Sequence, residues 1–254
     1  MTNDFPLIEF DANPKAVIEP SEIIKPIDIA KTAVLCFFDD AIETYLEKTP
    51  STVIAHFIAA SMKLPIYDIA HNGVRLALVQ AAVGAPVAVA QIEELHAMGC
   101  KKFIICGGCG VLNKEIAAGH LIIPTAALRD EGTSFHYAPP SREIQADDYA
   151  VAVLEKVLQE KQMPYIKGKT WTTDAFYRET ADKVKRRRGE GCITVEMEAS
   201  ALMAVAQFRK VTLGQLLYAG DSLGGETWDS RDWHKRYETR ALVLQLALDA
   251  AAML

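Results

Sequence analysis

The chain has 254 residues, 50% hydrophobic and 24% charged, enough apolar surface for a packed core, which excludes disorder and a collagen-like fibre. Its 27 Lys and Arg against 33 Asp and Glu leave a formal charge of −6, too acidic overall for a protein that grips phosphate backbones, so no nucleic-acid partner is expected. Asp4, Pro6, Glu9 and Asp11 stand where an export signal needs a basic start and an apolar block. The longest apolar run, Ala81 to Ala90, is broken by Gly84 and Pro86 and falls short of the roughly 18 residues that span a bilayer, so no membrane partner is expected either. Five cysteines without an export signal read as free thiols in a reducing compartment, and the cytoplasm is the expected location.

No repeat, low-complexity tract or Gly/Ser linker interrupts the chain, so residues 1–254 read as a single domain. Short apolar runs alternate with longer stretches of helical period, which predicts an α/β layered fold. In chain order the expected strands are Ala16–Glu19, Leu76–Gln80, Lys102–Cys106, His120–Pro124, Gly168–Thr172, Cys192–Glu196 and Leu213–Gly220. Most are continuously apolar, as strands covered on both faces must be. The expected helices are Val87–Gly99, closed by a glycine suited to the C′ position, then Asp147–Gln162, Met197–Phe208 and Asp232–Leu254. The basic run Lys183 to Arg188 reads as a solvated surface turn without a function.

Four segments could carry chemistry. Cys106-Gly107-Gly108-Cys109-Gly110 follows the apolar Phe103-Ile104-Ile105, and its glycines would let amides converge on an anion or a ligand's polar edge, or simply serve a tight turn. Cys106 and Cys109 also form a CxxC. A redox role is disfavoured by the surrounding glycines, and zinc by the lack of a second Cys/His pair among scattered histidines, so no metal is expected. In Thr194–Ser200 a strand meets a helix with Glu196 and Glu198 flanking Met197; a carboxylate there could grip vicinal hydroxyls or merely complement the helix dipole. In Tyr218–Gly225, Asp221 tips a Gly-rich loop and could be a general acid if partly buried or set beside another carboxylate, or could only bond loop amides. One ring of Trp171–Tyr177 could stack on a planar heterocycle, though such rings are more often core.

In this order the segments resemble the nucleoside phosphorylase superfamily, through Ala82-Val83-Gly84-Ala85-Pro86, Glu93-Glu94-Leu95, the glycine cluster, Arg129–Ser134, Asp174-Ala175-Phe176-Tyr177 and Val195-Glu196-Met197-Glu198-Ala199. The resemblance implies a three-layer α/β/α fold with a central mixed, partly barrel-like sheet, a homo-oligomer, and no cofactor beyond phosphate as co-substrate. It implies phosphorolysis of an N-glycosidic bond to free base and ribose 1-phosphate, a purine-salvage reaction. Glu198 would hold the ribose hydroxyls, Met197 would pack under the sugar and Phe176 would stack on the base. Glu196, Cys109 and Gly110 would complete the substrate site, and Asp221, 25 positions after Glu196, would protonate a leaving purine. Pyrimidine-cleaving relatives carry a Gln and an Arg shortly after the aromatic; this chain has Arg178, Glu179 and Thr180, which favours a purine.

The departures fall on phosphate. The family's Gly-Asp-Pro-x-Arg after its first strand aligns with Pro20-Ser21-Glu22-Ile23-Ile24-Lys25, and the second phosphate-binding Arg is replaced by Ile105. Lys25 with the amides of Gly107, Gly108 and Gly110 would have to stand in for two guanidiniums. The alternatives are a nucleosidase using water, with Glu196 or Glu22 as base, and a nucleoside-binding protein without turnover.

Overall fold

The computed structural model describes residues 5–254. In chain order the elements are α1 (Pro20–Ile23), β1 (Thr32–Cys36), α2 (Asp39–Leu46), β2 (Ser51–Ala59), β3 (Met62–His71), β4 (Val74–Gln80), α3 (Ala85–Met98), β5 (Lys102–Val111), β6 (Leu121–Asp130), β7 (Glu143–Gln145), α4 (Asp148–Glu160), β8 (Tyr165–Thr173), α5 (Ala181–Gly189), β9 (Cys192–Glu196), α6 (Ala199–Arg209), β10 (Thr212–Ser222) and α7 (Tyr237–Met253). One sheet takes the order β10-β6-β8-β9-β5-β1-β4-β3-β2, and β10 also pairs with β5. That second pairing closes β10, β6, β8, β9 and β5 into a ring, and β1, β4, β3 and β2 continue from it as an open wing. This is the mixed, partly barrel-like sheet that the resemblance implies.

Helices cover both faces. On one, α4 and α7 bury Leu154, Val157, Leu244 and Leu248 against Val34, Ile104 and Leu216; on the other, α3 and α6 bury Ile92, Leu95, Leu202 and Val205 against Leu35, Phe103 and Ile105. Helix α3 begins with Gly84 as N-cap and Pro86 in its first turn, and ends at Gly99, whose φ of +135° only glycine adopts readily. Asp147 caps α4 by accepting from the amides of Tyr149 and Ala150. Among the described residues no helix is long and apolar enough to cross a membrane.

The structure corrects four expectations. Ala16–Glu19 is not a strand; it precedes α1, with Val17 and Ile18 exposed, and the first strand is Thr32–Cys36, buried throughout. The hairpin β2–β3 goes unmarked by continuous apolar runs because only part of each strand is covered. The basic run belongs to helix α5, where Arg187 is buried over the Trp171 ring and paired with Asp130 and Glu190. Finally, the glycine cluster is neither turn nor nest: Gly107, Gly108 and Gly110 lie within β5, none has positive φ, and Gly107 and Gly108 pair in register with Leu217 and Tyr218 of β10.

Candidate active site at the seam between β1 and β9

β5 runs parallel to β1 and antiparallel to β9, and the two reach the same edge of β5 from opposite directions. The register of β1 stops at Cys106 and that of β9 starts at Gly110, so Gly107–Cys109 has a paired strand only on the β10 side. The segment Glu196–Glu198 emerges from β9 at this seam, and the turn after β4 reaches the same place, because the Gly84 amide donates to Glu198 Oε1 at 2.6 Å.

Glu196 and Glu198 are both buried but differently employed. Glu196 accepts from Thr172 Oγ1 at 2.7 Å and Thr170 Oγ1 at 3.4 Å, and its other oxygen accepts from the amides of Glu198 at 2.8 Å and Ala199 at 2.6 Å. It is the cap on which α6 starts, and with four donors its carboxylate has little capacity left for a substrate or for accepting a proton from water. Burial pushes its pKa up against those hydrogen bonds. Glu198 has fewer partners; burial, then the Glu196 charge, push its carboxyl up to about 8. Of this coupled pair Glu196 is the better solvated by protein, so the first negative charge sits there and Glu198 holds the proton at neutral pH. Asp174, which accepts from the Gly132 amide at 2.9 Å, adds to the pressure on Glu198.

Asp221 closes the seam from β10. It is half-buried, its Oδ2 accepts from the Trp228 indole N–H at 2.7 Å, and a Cβ at Gly110 would lie 3.3 Å from its Oδ1. The same Cβ would lie 2.7 Å from Leu223 Cδ1, so the lack of a side chain at 110 makes room for the loop that carries the acid. Cys109 lies between the two acidic groups: burial, then the charges of Glu196 and Asp221, hold its thiol well above the usual range, and Sγ donates to the Tyr218 carbonyl. Cys106, three residues away in an extended strand, points to the opposite face, where it meets Cys36, so the CxxC thiols are not a pair. Met197 is half-buried between the two glutamates. Phe176 stands on a single 3₁₀ turn after β8, 50% exposed, with its ring 4.1 Å from that of Tyr177.

The anion half is furnished otherwise. Lys25 is exposed and two residues from Ile27, whose amide donates to the Met98 carbonyl at the end of the sheet where β5 begins. Gly108 lies six residues further along, about 20 Å at 3.3 Å per residue, so the structure does not bring Lys25 to the glycines. The assignment fails because Pro20–Lys25 precedes the first strand instead of following it; the residues after β1 are Phe37-Phe38-Asp39-Asp40. Ile105 is 1% exposed in the core under α3 and α6, and a Cβ at Gly107 would lie 2.8 Å from the Phe37 ring. Glu22, the other expected base, is paired with Lys15 beside α1. Among the described residues no cluster of His, Cys, Asp and Glu could hold a metal ion.

The roles of Thr172 and Gly84 as donors to the two glutamates, and of Asp174 as a like charge beside Glu198, depend on register and cannot be read from spacing. Glu179 escapes sequence reasoning as well. It is half-buried, and burial followed by the Asp221 charge pushes it up to about 7, with Lys183 opposing. Its only sequence signal is its place three residues after Phe176. A cavity of about 510 Å³ between residues 11–24 and helices α3 and α6 is not lined by any of these carboxylates.

The family model described as the phosphorylase superfamily matches residues 31–252. A guanosine phosphorylase of Halorubrum lacusprofundi is 26% identical over 181 residues, covering 69% of this chain and 75% of its own. Among solved structures, a uridine phosphorylase from Vibrio fischeri ES114 superposes with a TM-score of 0.76 at 19% identity, covering 93% of this chain and 98% of that one. An AMP nucleosidase from Bacteroides thetaiotaomicron VPI-5482 superposes with a TM-score of 0.74 at 22% identity, covering 91% and 95%. At these identities the superpositions establish a shared fold.

Proposed function

The chain belongs to the phosphorylase superfamily, and we propose on that premise that its seam breaks the N-glycosidic bond of a purine nucleoside. The observation that carries this reading is the division of labour between the glutamates: Glu196 is spent on capping α6, while Glu198 is buried, accepts from the Gly84 amide and is left with acceptor capacity for two vicinal hydroxyls. As the base leaves, the ribose gains positive charge, and a carboxylate in a desolvated site stabilises that charge more than it stabilises the neutral sugar. Met197 packs under the sugar and Phe176 stacks on the base. Asp221, half-buried and beside Glu179, delivers the proton that turns the base into a neutral leaving group.

Two acceptors compete for the ribosyl carbon. The similarity to phosphorylases supports phosphate. This chain's own residues favour water: the arginine position is a core isoleucine, Lys25 is at the far end of β5, and the Phe37 ring fills the space over Gly107. A phosphate dianion over Gly107 would meet the Phe37 ring instead of a bidentate guanidinium. In hydrolysis the C–N bond breaks as Asp221 protonates the base, water adds to the ribosyl carbon, and the water's surplus proton passes to bulk solvent once the C–O bond has formed. Incubating the protein with purine and pyrimidine nucleosides, with and without phosphate, tests both statements. Release of base from purine nucleosides independent of phosphate, with free ribose as the other product, is expected. Ribose 1-phosphate would overturn hydrolysis, and nucleoside binding without release would overturn turnover itself.

A further inference from the structure

We propose that Trp228 is the positioning residue of proton delivery: its indole N–H holds one oxygen of Asp221, leaves the other for the base, and stabilises the negative charge that the acid acquires as its proton leaves. The inference rests on the reading of the seam as a purine nucleoside site with Asp221 as its acid.

Trp228 and Asp221 meet because the loop between them is closed at its neck. Ser222 and Asp229 exchange both backbone hydrogen bonds, at 2.8 and 3.0 Å, so the two ends of residues 223–228 lie side by side. The loop is also pinned to the body of the protein. The Leu223 amide donates to the Val111 carbonyl, and a Cβ at Gly224 would lie 2.5 Å from the Lys114 amide nitrogen, so the chain presses there only because residue 224 has no side chain. Beyond the neck, Arg231 donates to the carbonyls of Ile116 and Lys114. The indole therefore reaches Asp221 from a fixed frame, although its ring is exposed.

Among the described residues Trp228 is the sole hydrogen-bond partner of the Asp221 carboxyl, and it engages one oxygen: Nε1 donates to Oδ2 at 2.7 Å. Oδ1 is the oxygen that lies over Gly110 at the seam, 3.3 Å from where a Cβ would stand. A proton on the carboxyl settles on Oδ1, because a carbonyl oxygen accepts from the indole better than a hydroxyl oxygen does. As the C–N bond breaks, its electron pair passes to the base, a base nitrogen takes the Oδ1 proton, and the carboxylate left behind spreads its charge over both oxygens. The N–H bond to Oδ2 is then charge-assisted, so it is stronger after proton transfer than before and favours the transition state over the bound substrate. Solvent returns a proton to Asp221 once the base has left.

Trp228→Phe, Asp221→Asn and the double variant test this. The substrates are the best-cleaved of inosine, guanosine and adenosine, and para-nitrophenyl β-riboside, whose nitrophenolate leaves without a proton; thermal melts check folding. Trp228→Phe is expected to lower kcat on the nucleoside by on the order of 10–100-fold, less than a buried oxyanion donor costs because water reaches this one. KM should hold within about twofold and the riboside should be spared, since neither step uses the N–H. In the Asp221→Asn background the same replacement should cost less than about twofold, because residues that act as a unit are not additive. Should Trp228→Phe fold poorly, Trp228→Leu carries the same comparison. Equal loss on both substrates, or additive losses in the double variant, would assign Trp228 to loop structure and overturn the proposal. Nucleoside cleavage that Trp228→Phe leaves unchanged would overturn it alone, whereas release of base from none of the three by the unaltered protein would overturn the reading of the seam and this proposal with it.

Discussion

The end of β9 and the end of β1 meet at the same three residues of β5 and furnish them in opposite ways. The β9 side is polar and over-supported: two threonines and two amides fix Glu196, a third amide fixes Glu198, and an indole fixes Asp221. The β1 side is apolar: Phe37 covers Gly107, and Ile105 is sunk in the core. On the proposed reading, one fold keeps the sugar and base half of the site while the half expected to hold an anion is packed like an interior. The two halves rest on different strands, so one can change without disturbing the other.

The sharpest way to break the comparison is at Asp221. Asp221→Asn keeps a hydrogen-bonding group but cannot transfer a proton, so purine nucleosides should slow by roughly 10²–10⁴-fold while substrates whose leaving group needs no proton are spared. Equal loss on both, in steady-state assays, would assign Asp221 to structure. Glu198→Gln should cost roughly 10²–10³-fold in kcat. The pH dependence is the finer readout. Because the ionised form grips the hydroxyls, kcat/KM of the unaltered protein should rise through an apparent pKa near 8. Stability should move the other way: the folded state holds a proton that the unfolded state loses in the ordinary carboxylate range, so stability falls as pH rises from about 4.5 to 8, by on the order of a few kcal/mol. Glu198→Gln should lack that slope in a series of thermal melts, and a retained slope would assign it elsewhere.

On the other half, Ile105→Arg should not restore a phosphate site. It places an unpaired guanidinium in the α3–α6 core and should cost at least about 3 kcal/mol, seen as a lowered Tm, with no phosphate-dependent rate gained. A stable, phosphate-activated variant would show that the apolar half is a tolerant surface and not a committed core. The smallest effect belongs to Cys109→Ser. The hydroxyl can keep the bond to the Tyr218 carbonyl, so activity should stay within about twofold and be insensitive to reductant. Inactivation by oxidant that this variant escapes would reopen a redox role.

What is legible in the sequence follows the same divide. Cys192–Glu196 reads as a strand residue for residue because Ile193, Thr194 and Val195 are three β-branched residues in a row, and Glu196-Met197-Glu198 advertises its acids at its end. Which acid serves the fold and which faces the seam depends on Thr170 and Thr172, 26 and 24 residues before Glu196, and no spacing reveals it. The β1 side misleads because Thr32–Cys36 follows a stretch rich in Pro and Ile, so Ala16–Glu19 competes for the first strand and carries Lys25 with it to the wrong end of the sheet. The glycines of β5 announce close approach correctly, but what approaches is Phe37, the Tyr218 ring and Leu223.

The cap formed by Glu196 has a mechanical consequence. The carboxylate that starts α6 also holds the Glu198 amide, so the proposed grip on the sugar is bolted to a helix whose inner face is core. Heating cannot loosen that grip gradually: the catalytic geometry should persist undiminished until α6 itself gives way, and then vanish together with it. A protein wired this way trades adjustability for endurance.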